Sequence, residues 1–163
     1  MRRRFLTALV FVCAGMLSGC HIDGKLYPVQ GPLAAQAQPP IFAARITGGL
    51  KSGELSATLA NNELCKGTWA QLSNAPTQGS NTAGSGGTSQ NMPAAWDAVY
   101  GKGFYAAQVL GQHVYIHGTM SGDHGTTLTV EAYRVLNSTP NAPAGTVLGV
   151  AADNNGNIYK IAF

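Results

Sequence analysis

The sequence predicts an all-β fold: one small antiparallel β-barrel or β-sandwich of about eight strands in meander order, with room for one short helix. Three observations carry this. From about residue 41 the apolar residues fall into short runs that alternate with polar ones, the period of a strand with one buried face. Brief segments rich in Gly, Asn and Pro separate these runs, and short connections make successive strands antiparallel neighbours. Residues 41–163 are one domain's length, enough to enclose a core, and closing the sheet would protect its strand edges.

The elements follow in order. A first strand falls near residues 43–50. In Leu55-Ser56-Ala57-Thr58-Leu59 the alternation is strict, and residues 64–72 form the hairpin partner. A loop of Asn61-Asn62-Glu63, with Asn62 tolerating a left-handed backbone, sets Leu59 opposite Cys65, Ala57 opposite Gly67 and Leu55 opposite Trp69. Lys66 and Thr68 then point to water, whereas a two-residue loop would turn Lys66 to the buried face. Residues 74–91 hold Gly, Ser, Thr, Asn and Gln with hardly a large apolar group; burial cannot offset the entropy of ordering them, so a disordered loop is expected. Met92–Tyr100 reads as a short helix with Pro93 at its start and Gly101 past its end, placing Trp96, Val99 and Tyr100 on one face. Strands are then expected at 104–110 and 113–120, joined through Gly111-Gln112. The next, 126–136, sets Leu128, Val130 and Ala132 on one side and Thr129, Glu131 and Tyr133 on the other. The last two are 146–152 and 158–163, linked by the turn Asp153-Asn154-Asn155-Gly156.

The residues before 41 are of another kind. Arg2, Arg3 and Arg4 precede an apolar run over residues 5–16, too short for a helix that must cross roughly 30 Å of hydrocarbon. A charged head and a short apolar middle form the pattern of an export signal. Leu17-Ser18-Gly19-Cys20 closes that run, and this stretch resembles the lipobox of bacterial lipoproteins. The resemblance covers the first 20 residues; it implies cleavage before Cys20, a thioether-linked lipid on its sulfur and acylation of the new amino terminus. In such lipoproteins an aspartate directly after the cysteine marks retention in the inner membrane. His21 stands there instead, which implies transfer to the outer membrane. Residues 21–40 carry Pro28, Pro32, Pro39 and Pro40 among Gly, Gln and Ala at no steady period, so a flexible tether is expected. The chain thus divides into a signal peptide (1–19), lipidated Cys20 with a tether through residue 40, and a β domain (41–163).

Removing the first 19 of 163 residues leaves 144 and changes the charge. The net charge of +3 reflects ten basic against seven acidic side chains; without Arg2, Arg3 and Arg4 the balance is seven against seven. A neutral chain with scattered charges lacks the basic footprint by which proteins hold nucleic acid. Of three cysteines, Cys13 leaves with the signal and Cys20 is alkylated, so Cys65 stands alone. No intramolecular disulfide, thiolate zinc site or CxxC redox pair can then be assembled, and Cys65 is expected as a small buried hydrophobe.

Candidate chemistry is sparse. His113 and His117 share a strand face with Tyr115 between them, but positions i and i+4 along a strand lie roughly 13 Å apart, too far to ligate one ion. A metal site or hydrolase would have to add His124 and Asp123 from the following loop. Gly101-Lys102-Gly103-Phe104-Tyr105-Ala106 fits GxGxxA, yet the dinucleotide fingerprint needs a strand before it and a helix after it. Residues 149–153 with 156–159 resemble one repeat of the NHL propeller family, which requires several copies. Asp153, Asn155 and Asn157 resemble a calcium loop that fails at its sixth position, where Ile158 replaces the required Gly. No nucleophile elbow, HExxH helix or Walker loop occurs.

The expectation is therefore a noncatalytic binding or structural role in the bacterial envelope, with no enzyme activity, cofactor, metal or nucleic-acid partner. Lipid on Cys20 would hold the protein to the membrane, and an envelope protein would meet a contact face of Tyr105, Tyr115, Tyr133, His113 and His117. Two alternatives are a carrier of a small apolar ligand inside a barrel, and a metal-binding protein or hydrolase using His113, His117 and His124.

Overall fold

A computed structural model describes residues 21–72, 91–110, 115–138 and 142–163. Among these, eight strands follow one another: β1 (His21–Gln30), β2 (Phe42–Gly48), β3 (Ser52–Thr58), β4 (Leu64–Leu72), β5 (Tyr115–Gly122), β6 (Thr127–Arg134), β7 (Val147–Asp153) and β8 (Ile158–Ala162). Each pairs antiparallel with its neighbours in sequence, and β8 pairs with β1 to close a barrel. One short helix, α1 (Met92–Tyr100), crosses between β4 and β5. The fold is the expected all-β meander with one helix, in its barrel form.

The eight strands are not the expected eight. The supposed tether supplies the first of them: His21–Gln30 pairs with β2 from His21↔Thr47 to Leu26↔Phe42, and with β8 from Lys25↔Ala162 onward. Pro28 can stand in this strand because the register slips between Pro28 and Gln30, a bulge where the missing N–H costs no regular ladder bond. Residues 31–40 are no spacer either. Leu33 packs against the core, and its N–H donates to Asn157 Oδ1 at 2.9 Å. In the other direction, residues 104–110 were expected to be a strand and instead form a π turn, Tyr105–Val109. Helical spacing explains it: Tyr105 and Val109 are both buried four residues apart, and the Asp97 carboxylate accepts from the N–H groups of Gly103 (2.9 Å) and Tyr105 (3.0 Å) to start the turn. The Gly111-Gln112 turn and His113 lie outside the described residues, as does the expected disordered loop apart from Asn91.

The β3–β4 hairpin keeps the expected faces in a register shifted by two. Ala57 pairs with Cys65 and Leu55 with Gly67, closed by residues 59–63 with Asn61 and Asn62 both at positive φ. A shift of two returns every side chain to the same side, so Leu55, Ala57, Cys65 and Trp69 still point inward. The core they join includes Leu26, Phe42, Met120, Leu128, Val130, Ala151, Tyr159 and Ile161, with Phe42 edge-on to Tyr159 at 6.3 Å between ring centroids. Close approach of strands makes glycine obligatory at two positions: a side chain at Gly53 would meet the Thr47 carbonyl, and one at Gly67 the Thr119 carbonyl.

A second apolar layer lies outside the barrel. Asn91 caps α1 by accepting from Ala94 N–H, Pro93 sits in its first turn, and Gly101 ends it at φ 109°. The expected face of α1 meets the outer wall of β5–β8: Trp96 stacks with Tyr100 (5.5 Å) and Phe104 (6.1 Å) and tilts against Tyr133 (5.7 Å).

The strand status of residues 21–30 is directly testable. Leu26→Ala removes a fully buried side chain and is expected to lower stability by about 2–5 kcal/mol in urea unfolding; a tether at this position would show no loss.

Candidate functional site

Alternation of side chains along β5 and β6 sends Ile116, Met120, Leu128 and Val130 inward, and Tyr115, His117, Glu131 and Tyr133 outward. Register then sets His117 opposite Glu131 and Tyr115 opposite Tyr133. The helix covers this outward set. Glu131 is only 3% exposed; its Oε2 accepts from Trp96 Nε1 at 2.9 Å and its Oε1 lies 3.3 Å from His117 Nδ1. A carboxylate and an imidazole this close have the parts of an acid–base pair. Both carboxylate oxygens are engaged, however, and Trp96 lies directly over the carboxylate. The arrangement clamps α1 to the barrel wall.

The three tyrosines of the contact face expected from the sequence are therefore not at the surface. Tyr105, Tyr115 and Tyr133 are 4%, 0% and 4% exposed, because α1 and the π turn pack on what would otherwise be a solvent-facing wall. Burial, then the nearby Glu131 carboxylate, raises the Tyr115 phenol far above its ordinary range, and burial pushes Tyr100 up to about 12. Of the face, His117 keeps a side chain 38% exposed. His124 does not approach it. It sits in the β5–β6 loop, beyond Ser121, and Ser121 alone is roughly 13 Å along the strand from His117. Among the described residues no three His, Cys, Asp or Glu side chains gather as a metal site.

The two mouths of the barrel differ in chemistry. Hydrogen-bonded carboxylates seal one. Asp153, 2% exposed, accepts through Oδ1 from the N–H groups of Asn155 and Asn157, and through Oδ2 from Asn157 Nδ2 (2.8 Å) and Tyr159 Oη (2.7 Å). The calcium-like spacing of Asp153, Asn155 and Asn157 thus serves a turn. Beside it Glu63 accepts from the N–H groups of His124 and Thr126 and from Thr126 Oγ1 at 2.7 Å. Burial works to raise the Glu63 pKa, but the Thr126 and His124 hydrogen bonds together outweigh it and hold the carboxyl below its ordinary value. Cys65, fully buried nearby, is pushed up to about 11 by burial and then by the Glu63 charge, an inert thiol as expected.

Apolar side chains close the other mouth. Trp69 spans it from within, its Nε1 donating to the Thr47 carbonyl at 3.0 Å. Gly24 leaves the room that Phe163 fills, and Ile22 pairs with Ile46 at the rim. Leu50, in the β2–β3 turn, is 95% exposed. Trp69 was expected on the inward face, but Ile22, Gly24 and Leu50 were not singled out from the sequence, although a leucine at a hairpin tip between Gly49 and Lys51 departs from the polar chemistry of turns. Below this mouth the interior space among Leu26, Ile46, Leu55, Met120, Val130 and Ile161 amounts to about 10 Å³. Around the barrel, β1–β4 present Asp23, Lys25, Arg45, Glu54 and Lys66 to solvent, with Arg45 Nε donating to Asp23 Oδ1 at 2.7 Å.

The chain is thus a sealed eight-stranded barrel with a helix-covered wall, one polar mouth and one apolar mouth. Comparison with protein-family models, with curated proteins and with solved structures finds no match.

Two outcomes follow from the polar contacts. Glu131→Ala leaves the Trp96 indole N–H buried without its acceptor and is expected to cost about 1–3 kcal/mol, with faster amide exchange in α1. The Glu63 carboxyl has a folded pKa below its unfolded value of 4.5, so its contribution is present above that value and lost as pH falls toward the folded pKa. Stability measured by urea unfolding should decline as pH drops below about 4.5, and Glu63→Gln should flatten that decline.

Proposed function

We propose that the protein is a lipid-anchored lipoprotein of the bacterial outer membrane whose barrel has a noncatalytic role, binding or bracing another component of the envelope. The observation that carries this reading is Leu17-Ser18-Gly19-Cys20 behind an arginine-led, short apolar run. One acyl chain holds a protein to a bilayer only reversibly, at about 0.8 kcal/mol per buried methylene, whereas several chains hold it firmly.

Features of the domain support a binding or structural role over the alternatives. Ligand pockets measure about 300–1,000 Å³; the space of about 10 Å³ among Leu26, Ile46, Leu55, Met120, Val130 and Ile161 admits a single water, which gives a carrier of apolar molecules no support. The separation of His117 from His124 and the covered Glu131 speak against a metal centre or hydrolase built on them. An apolar interior, with charges on the outer face of β1–β4 and α1 over that of β5–β8, differs from a membrane-spanning barrel's polar lumen and apolar outer band. With α1 covering β5–β8, the β1–β4 wall is the face a protein partner would meet, including a shallow depression of about 210 Å³ lined by Asp23, Arg45, Ser56 and Thr58.

Cys20→Ser tests the anchor. The wild-type mature chain is expected to carry the mass of its acyl chains and to fractionate with outer membranes; the variant should lack that mass and leave the membrane fraction. Unchanged processing and unchanged fractionation would overturn the reading.

A further inference from the structure

Strand β1 begins at His21, so the Cys20 sulfur is attached to the residue next to a strand already paired at His21↔Thr47. Adjacent Cα atoms are about 3.8 Å apart. No slack separates an anchor at Cys20 from the barrel, and the mouth it adjoins is the apolar one. Large apolar side chains stand exposed at both ends, Val29, Ile41 and Leu64 at the other, but this end has Ile22, Leu136, Phe163 and Leu50, the last the most exposed of all at 95%. Strand direction places them together. Ile22 is in the first turn of the wall, Leu50 lies three residues past Thr47, and Leu136 and Phe163 follow the ends of β6 and β8. Exposed Lys51 and Arg134 sit at the same end, with Glu54 opposite Thr47 and with Asp23, which accepts from Arg45, a little farther up the wall.

We propose that the apolar mouth rests on the lipid bilayer, with Leu50 in the apolar layer and Lys51 and Arg134 at anionic headgroups. This rests on the lipid-anchor reading and goes beyond it, since an acylated cysteine on a flexible spacer would leave the barrel free to tumble. Large apolar side chains with Lys51 and Arg134 beside them suit an interfacial contact: the stems enter the boundary and the basic charges stay with phosphate, while Glu54 and the Asp23–Arg45 pair remain on the water side. The barrel then stands end-on, its strands directed away from the membrane and its carboxylate-sealed mouth facing water. A second copy seated on the same rim would have to make room for an acylated cysteine beside each β1, which the bilayer accepts directly.

The test uses the mature, lipidated chain reconstituted in vesicles of phosphatidylethanolamine and phosphatidylglycerol, with an environment-sensitive fluorophore on Leu50→Cys or, at the opposite end, on Ala60→Cys. Buried Cys65 and alkylated Cys20 do not compete for the label. Circular dichroism verifies that both variants fold. A nitroxide-bearing lipid is expected to quench most of the emission from position 50 and leave position 60 bright. Three results overturn the proposal. Vesicle-bound protein with neither position quenched, or with position 60 quenched instead, removes the end-on placement while the anchor stands. Position 50 shielded from an aqueous quencher, unquenched by lipid and forming a disulfide to another Leu50→Cys chain assigns the rim to a second copy. Protein that lacks acyl mass and does not float with vesicles removes the anchor reading and this inference together.

Discussion

The seam between β1 and β8 is the contact on which the rest of the molecule depends. Seven of the eight strand pairs join neighbours in sequence, and any meander makes those. The eighth joins residues more than a hundred positions apart, from Lys25↔Ala162 to Gln30↔Ile158. Without it the sheet would have two open edges and an exposed apolar face; with it every strand is paired on both sides and the inward side chains become a core. Leu26 sits where the seam and the β1–β2 ladder meet, opposite both Ile161 and Phe42. The bulge at Pro28 spares this pairing a clash with proline's missing donor.

Closing the ring also decides where the ends go. The start of β1 and the residue after β8 reach the same mouth, where Gly24 gives Phe163 its place. The loops joining β3 to β4, β5 to β6 and β7 to β8 gather at the other, and they carry Glu63, Asp123, His124 and the Asp153 turn. The chemical contrast between mouths is a consequence of strand parity in an even-numbered barrel. Hydrogen bonds seal one end at Asp153 and Glu63, and hydrocarbon seals the other at Ile22, Trp69 and Phe163. A buried carboxylate is tolerable only when its lone pairs are met, and Asp153 accepts from four donors.

The outer layer follows a different rule. Strands β5–β8 carry apolar side chains on both faces, Tyr115, Tyr133, Val150 and Ala152 outside against Met120, Val130 and Ala151 within. A sheet apolar on both faces needs a cover, and α1 with the π turn supplies one whose aromatic stack of Trp96, Tyr100 and Phe104 matches the wall. Glu131, the buried carboxylate of the wall, accepts from the Trp96 indole N–H. Strands β1–β4 carry charges outward, and among the described residues no helix packs on their outer face as α1 packs on β5–β8.

Period and turn chemistry were legible in the amino-acid order: the class of fold, the helix at Met92–Tyr100 with its Asn, Pro and Gly punctuation, the inward set of the β3–β4 hairpin and the buried thiol of Cys65. These are local properties, decided within a few residues. β1 was not legible because its inward positions, Ile22, Gly24, Leu26 and Pro28, include a glycine and a proline that mask the alternation; the bulk that fills the space at Gly24 belongs to Phe163, and Phe42 and Tyr159 pack from neighbouring strands. Tyr115 and Tyr133 alternate as an exposed face would, and only the packing of a distant helix buries them. The order of residues by itself determined the strand period and the turns; the tertiary structure decided which strand closes the ring, which face is covered and which mouth adjoins Cys20, because those depend on pairing between segments that no local pattern connects.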